Sequence, residues 1–202
     1  MPPIIDNAAA SEAVAALLAA FGVDEGDHTA NTPDRVSRAW AEHLSGYQED
    51  PREHLRRTFS APEDAGLVVV SGIRFVSTCA HHLERIVGTA TVAYRPLPGQ
   101  DVVGLSKLAR VVTGYARRLQ VQERLGRQVA DAVQEVLAPA GAGCLLTAAH
   151  GCMSLRGVHQ PAAVTTTQSW VGAWRDSTHP DARAVAEEHT RAVAGFKGGA
   201  VW

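Results

Sequence analysis

Two short segments of the chain hold the side chains that zinc prefers. Cys79-Ala80-His81-His82 and His150-Gly151-Cys152 lie far apart in the sequence. Thiolates and imidazoles are the usual donors of protein zinc sites, and a Cys₂His set leaves the fourth position open in catalytic sites. If folding brings the segments together, they predict a catalytic metal centre. From these residues alone, a structural zinc site and a chance cluster remain open as alternatives.

The composition indicates a chain with a sizeable core and no strong charge bias. Of its 202 residues 46% are hydrophobic, and the formal net charge is −2. Interspersed charges give no electrostatic reason to expect nucleic-acid or membrane binding. The first residues lack the features of a signal peptide, and no run of about 18 apolar residues occurs. We therefore expect a cytoplasmic protein, whose three cysteines favour thiolate ligands over a Cys79–Cys152 disulfide.

Periodicity predicts the elements that must position these residues. Helical spacing indicates a first helix near residues 11–21, capped by Ser11, and a second from residues 31–34 to residue 45, capped by Thr32. Residues 67–77 and 86–94 read as strands, two helical patterns follow, and residues 144–149 and 163–174 read as further strands. The order ββααββ predicts an α+β architecture with both helices on one face of the sheet. We divide the chain into an N-terminal helical region, 1–62, and a catalytic domain, 63–202.

Four motifs occur in one order that matches a known family. They are Cys79-x-His81-His82, Gly104-Leu105-Ser106-Lys107-Leu108-x-Arg110, Gln120-Val121-Gln122-Glu123-Arg124-Leu125 and His150-x-Cys152-Met153-x-x-Arg156-Gly157. With them the chain resembles GTP cyclohydrolase I from about residue 31 to residue 175. The resemblance implies the tunnelling fold, with an antiparallel sheet and N-terminal helices, in a homo-oligomer, which in that family is a homodecamer with sites at subunit junctions. It also implies opening of the guanine imidazole ring of GTP at C8, release of formate and formation of 7,8-dihydroneopterin triphosphate.

The resemblance assigns metal-binding and catalytic roles at the matching positions. Cys79, His82 and Cys152 would bind Zn²⁺, which in three-ligand sites lowers the pKa of bound water to about 7. His81 and His150 would be the acid/base residues, because imidazole both gives and takes a proton near neutrality. Ser106 would contact the sugar.

The resemblance also assigns the residues that would hold the nucleotide. The triphosphate would be bound by cationic side chains, since charge-assisted contacts are strong: Lys107, Arg110 and Arg156, joined by Arg35 from the N-terminal helices. Glu123 would accept hydrogen bonds from the guanine N1–H and exocyclic amine, with Gln122 at the adjacent edge. Adenine lacks that pair of donors, so the carboxylate accounts for the choice of purine.

Two positions beside the metal residues depart from the family pattern. Ala80 stands where the family usually has Glu, and Glu84-Arg85 replaces a usual Pro-Phe. We hypothesise that Glu84 restores the lost charge, because carboxylates near metal ligands tune affinity and activity. The departures motivate one alternative, a divergent cyclohydrolase of secondary metabolism that uses a modified guanine nucleotide or stops after ring opening. A second alternative is a non-catalytic zinc-binding assembly protein, although such a protein does not need residues that bind a guanine base or a triphosphate.

The remaining cysteine and histidines are interpreted as structural or surface residues. Cys144 lies in a predicted strand and is expected to be a buried apolar residue. The histidines outside the motifs are expected to be ordinary packing or surface residues: His28, His43, His54, His159, His179 and His189.

Overall fold

The computed structural model describes residues 5–23, 26–61 and 64–196. Two helices come first, α1 (Asn7–Ala20) and α2 (Thr32–His43), followed by the 3-10 turns Ser45–Tyr47 and Pro51–Arg56. Helix α1 begins earlier than predicted, because the Asp6 carboxylate, and not Ser11, accepts the capping hydrogen bond from the Ala9 amide. The predicted cap of α2 is also wrong, since Asn31 occupies that position and makes no side-chain capping bond.

The rest of the described chain alternates strands and helices. In chain order the elements are β1 (Thr58–Phe59), β2 (Val68–Cys79), β3 (Arg85–Arg95), β4 (Val102–Val103), α3 (Leu105–Ala116), β5 (Leu119–Gln120), α4 (Gln122–Leu137), β6 (Gly141–His150), α5 (Gly151–Ser154), β7 (Thr165–Gly172) and α6 (Pro180–Val193). The long strands and helices that precede α6 come in the order β2-β3-α3-α4-β6-β7. This order confirms the predicted ββααββ arrangement and the α+β class. The boundary predicted between residues 62 and 63 falls on residues outside the described ranges and stays a prediction.

One five-stranded sheet organises the fold. Its strand order is β5-β2-β3-β6-β7, and every neighbouring pair is antiparallel except β2 with β5. Strands β1 and β4 form a separate two-stranded ribbon. Only Thr78 and Cys79 of β2 pair with β5, so most of the outer edge of β2 has no strand partner within the described chain.

The sheet is covered on both faces, and alternate residues of each strand face opposite sides. Helices α3 and α4 pack on one face, where Leu108, Val112 and Val129 join Phe75 and Val92 in the main core. This confirms the predicted placement of the helix pair. Helix α6 packs on the other face in a smaller cluster, Ala93, Leu145, Trp174, Ala182 and Val185. Among the described residues no helix has the length and apolar character needed to cross a membrane.

Two residues expected to be structural are buried within this framework. Cys144 in β6 is completely buried, and burial raises the pKa of its thiol, so it is an apolar packing residue as predicted. His189 of α6 is buried against the second face, with its two ring nitrogens 2.9 Å from the hydroxyls of Thr91 and Thr147.

Candidate metal and substrate site

The strand register brings the two metal-bearing segments to one end of the sheet. Thr78 at the end of β2 pairs with Arg85 at the start of β3, and the next residue of β3, Ile86, pairs with His150 at the end of β6. Cys79 is the last residue of β2, and Cys152 lies in the short helix α5 directly after β6. The two cysteines therefore meet although many residues separate them in the chain.

Cys79, His82 and Cys152 form a group that can hold a metal ion. One donor atom from each lies within 4.8 Å of the other two, and Cys79 Sγ is 3.7 Å from His82 Nδ1. In a tetrahedral zinc site, Zn–S bonds of about 2.3 Å and Zn–N bonds of about 2.0 Å separate sulfur from nitrogen by roughly 3.5 Å. All three cysteines of the chain are free thiols. The donor types and their spacing fit a divalent cation of the zinc kind, with His82 ligating through Nδ1.

A tight backbone turn holds the Cys79–His82 segment in shape. The Cys79 N–H donates to the Glu84 carbonyl at 2.8 Å, and the Leu83 N–H donates back to the Cys79 carbonyl at 2.9 Å. Leu83 occupies the left-handed region at φ 58°, which is uncommon for a residue with a side chain. The Ala80 N–H donates to the Gln120 carbonyl, which ties the turn to β5.

The electrostatics of the cluster favour a bound cation. Burial, and then the neighbouring Cys79 sulfur, raise the pKa of the Cys152 thiol, while the positive charge of Arg156 opposes this. Two adjacent thiolates repel each other and are poorly solvated, so a divalent cation offsets both costs when it binds.

His150 lies beside the metal group and has a fixed partner. Its Nε2 is 2.7 Å from Gln122 Oε1 at the first turn of α4. Burial lowers the pKa of His150, and the negative charge of Glu123 partly opposes the shift. The imidazole is therefore held neutral more readily than a free histidine, next to a carboxylate.

Three further predicted residues lie at this end with their polar groups available. The Glu123 side chain is exposed and makes no hydrogen bond or ion pair with the other described residues, and the same is true of Arg156. His81 is exposed, with its ring centroid 6.0 Å from that of His82 in an edge-on arrangement. The metal group thus has an imidazole, a carboxylate and a guanidinium around it.

The structure does not bring the residues at the start of α3 to this end. Ser77 donates to the Ala116 carbonyl, so the last turn of α3 lies near the metal group. Ser106 is about ten residues earlier, which at 1.5 Å per residue places it roughly 15 Å further along the helix. Ser106, Lys107 and Arg110 lie in the first two turns, near the far end of β2 and β3. Arg35 is exposed on α2 and makes no contact with the metal group.

Sequence reasoning missed the contributions of Gln120 and of a backbone carbonyl, and it predicted a contact of Gln122 with the base rather than with His150. Gln120 is buried, and its side chain bonds the Tyr115 carbonyl and Gln128 beneath the turn. Gln122 is buried and bonded to His150, and the Glu84 carbonyl closes the metal turn. The one sequence feature that pointed to these glutamines was the polar break Gln120-Val121-Gln122 between two helical patterns. Their bonding partners could not be predicted, because most of them come from distant segments.

Comparison with known proteins shows which sequences and structures this chain is similar to. Residues 10–189 match the family described as GTP cyclohydrolase I. GTP cyclohydrolase 1 of Desulforamulus reducens is 45% identical over 87% of this chain and 93% of its own, and that of Thermobifida fusca is 44% identical over 91% and 89%. A solved structure of an archaeosine synthase QueF-Like protein in the apo form is 16% identical, covers 56% of this chain and 97% of its own, and has a TM-score of 0.43. The family match and the extent of the two similar sequences establish that the chain belongs to the GTP cyclohydrolase I family.

Proposed function

We propose that the chain is a zinc-dependent GTP cyclohydrolase, which converts GTP and water into formate and 7,8-dihydroneopterin triphosphate. The observation that carries the proposal is the convergence of Cys79, His82 and Cys152 beside His150, in a chain of this family. When bound, Zn²⁺ would activate water for attack on C8 of the guanine ring.

The chain's own side chains would bind the base and move protons. The free carboxylate of Glu123 can accept two parallel hydrogen bonds from the guanine N1–H and exocyclic amine. With the base held there, His150 would accept the proton released by the attacking water and pass it to the imidazole ring of the purine as C8–N9 and then C8–N7 break, and His81 would exchange protons beside it. Arg156, whose charge acts on Cys152, would hold a phosphate group near the same end.

We propose that a second copy of the chain completes the site in a homo-oligomer, the homodecamer implied by the resemblance. Ser106, Lys107 and Arg110 make no side-chain hydrogen bond or ion pair with the other described residues, and they lie about one helix length from the metal group. The open edge of β2 and the edge strand β7 can pair between copies, because unpaired strand edges are templates for a further strand. Such pairing supplies a neighbour whose α3 could approach the metal end.

Neither alternative raised by the sequence is favoured. The extent of similarity to GTP cyclohydrolase 1 sequences argues against a changed substrate. A metal site used only for assembly would not need a free carboxylate and a bonded imidazole next to it.

The test is incubation of the metal-loaded chain with GTP, with formate measured and every nucleotide product identified by mass spectrometry. Equal amounts of formate and dihydroneopterin triphosphate are expected, with loss of both on chelation and recovery on addition of Zn²⁺. Formate without the pterin would indicate that the reaction stops after ring opening. Absence of formate from folded, zinc-loaded protein would refute the proposal.

A further inference from the structure

Gln122 is a buried glutamine whose side-chain groups are both used within the chain. It is the first residue of α4, and only 2% of its surface is exposed. Its amide nitrogen lies within hydrogen-bond distance of three oxygens, one on β6 and two on β7. They are Leu146 O at 3.2 Å, Thr165 O at 2.9 Å and Thr167 Oγ1 at 3.2 Å. The side chain is thus anchored to the two strands that flank the metal-bearing helix α5 in the chain.

These partners determine which way round the amide lies. The carbonyl oxygens of Leu146 and Thr165 can only accept hydrogen bonds, so the NH₂ group must face them. A flipped amide would place Oε1 against two carbonyl oxygens and leave the NH₂ group facing His150. Oε1 therefore faces His150, where it accepts a hydrogen bond over 2.7 Å from Nε2.

The orientation of the amide fixes the tautomer of His150. Because Oε1 is an acceptor, Nε2 must carry a hydrogen, and in the neutral imidazole the lone pair then lies on Nδ1. The same bond limits rotation of the ring, since a rotated ring would lose its partner in a half-buried place. In other sites that pair histidine with an oriented partner, such bonds set both the tautomer and the ring position.

This arrangement leaves Gln122 without a donor for substrate. The guanine edge next to N1–H presents the O6 oxygen, which requires a donor, and the two N–H groups of Gln122 already face three acceptors. The contact to the base implied by the family resemblance would require these buried bonds to break.

We propose, on the basis of the function proposed above, that Gln122 is a positioning residue that acts through His150 and does not contact the base. It holds the imidazole in one orientation and in the tautomer with hydrogen on Nε2, so that Nδ1 is the nitrogen presented to the reaction. Glu123, the next residue of α4, is then the residue of this helix start that reads the base. The two adjacent residues of this helix turn thus have different roles, because the side chain of Gln122 is buried and that of Glu123 is exposed to solvent.

The proposal is tested by Gln122→Met, which keeps the length of the side chain and removes both hydrogen-bonding groups. Loss of a partner that orients an active-site histidine typically costs about 10–100-fold, and we expect that loss in kcat, with KM for GTP and the zinc content unchanged within about twofold. The control is Gln134→Met, the same exchange near the other end of α4, where the amide donates to the Pro139 carbonyl. It should retain the wild-type kcat.

A second variant guards against loss of folding. Gln122→Asn keeps a buried amide but is one methylene shorter, so it should fold and still lose the bond to His150, with the same fall in kcat. An increase in KM with kcat unchanged in either variant would make Gln122 a base-binding residue and overturn the inference, and so would wild-type values for both constants. Failure of the wild-type chain to release formate from GTP would instead remove the proposed function itself.

Discussion

The three cysteines differ in their surroundings far more than in their chemistry. Cys79 ends a strand beside an exposed histidine, Cys152 is half-buried in a short helix, and Cys144 is sealed in the main core. Only the first two have a neighbouring sulfur and an imidazole close enough to share an ion. A thiol is in a position to bind a metal ion here because of where the strands end.

Replacing one ligand should remove the metal without disturbing the core. We expect Cys152→Ser to lower the zinc content at least about tenfold, because zinc binds thiolate far better than a neutral hydroxyl, and to lower formate release in parallel. Cys144→Ala is the matched control, and it should keep the metal content while losing some thermal stability to a small cavity. Metal content is measured by atomic absorption on desalted protein. Wild-type zinc content in Cys152→Ser would contradict the assignment.

Glu84 is the residue that we hypothesise to take the place of a carboxylate at position 80. Its carboxylate oxygen lies 3.2 Å from the position of a Cβ built on Gly151, so the side chain packs over the residue before Cys152. We expect Glu84→Gln, which keeps the shape and removes the charge, to weaken zinc affinity about tenfold in chelator competition. Glu187→Gln, at an exposed position on α6, serves as the control. Equal affinities for the two variants would show that Glu84 does not compensate.

At the scale of helices and strands, the sequence predicted the long elements well because their apolar patterns are strong. Strands β2, β3, β6 and β7 and helices α3 and α4 all occur in the predicted order. The two-residue strands β1, β4 and β5 are too short to produce a pattern, and the caps of α1 and α2 depend on local geometry that several polar residues could satisfy.

The candidate site was predictable in its residue types and not in its arrangement. The CxxH and HxC segments indicated metal ligands, but their meeting depends on the register of β3 with β2 and β6. The burial of Gln122 could not be predicted either, since a polar side chain is buried only where distant segments supply its partners. Ser106 lies far from the metal group because α3 runs along β2 with its last turn at the metal end. The spacing of residues in the sequence does not indicate that direction.

Helix α6 carries a titratable contact to the sheet. Burial lowers the pKa of His189, and its ring nitrogens face hydroxyls rather than carboxylates. The unfolded chain therefore binds a proton more readily than the folded one, so this group's contribution to the free energy of unfolding is full above about pH 6.5 and falls as the pH drops below that value. His150 and His43 shift in the same direction.

We expect the free energy of unfolding to decrease between pH 7.5 and pH 5.5, by up to about 1.4 kcal/mol per pH unit for each such group. His189→Gln keeps hydrogen-bonding capacity without titrating and should flatten the slope. Denaturant unfolding at several pH values gives the measurement. The control is His28→Gln, the same exchange at an exposed position. Identical slopes in wild type and His189→Gln would contradict the role assigned to burial.

At the scale of the whole molecule, one chain presents two incomplete halves of the proposed site. The metal group and Glu123 lie at one end of the sheet, and Lys107 and Arg110 lie at the start of α3 near the other. The length of α3 separates the two groups by roughly 15 Å along the helix. In the proposed homo-oligomer, a second copy of the chain would bring the two halves together.

Mixed assemblies should therefore recover activity from two inactive parents. We expect Cys152→Ser and Lys107→Ala/Arg110→Ala to be nearly inactive alone, and to regain about one quarter of wild-type formate release after co-expression, because random assembly joins two intact halves at about one junction in four. Cys152→Ser combined with His82→Ala, both at the metal end, is the control and should recover nothing. Failure of the first pair to complement, in verified hybrids, would place both halves in one chain.

The turn from Cys79 to Glu84 is closed by its own backbone hydrogen bonds and tied to β5. The conformational entropy of ordering that loop is thus lost during folding of the chain, before any ion arrives. Removal of zinc should therefore leave a folded apoprotein. Its far-UV circular dichroism spectrum should be unchanged after chelation, and full activity should return soon after zinc is added back. A cell could in this way keep a reserve of dormant enzyme and recruit it without new synthesis.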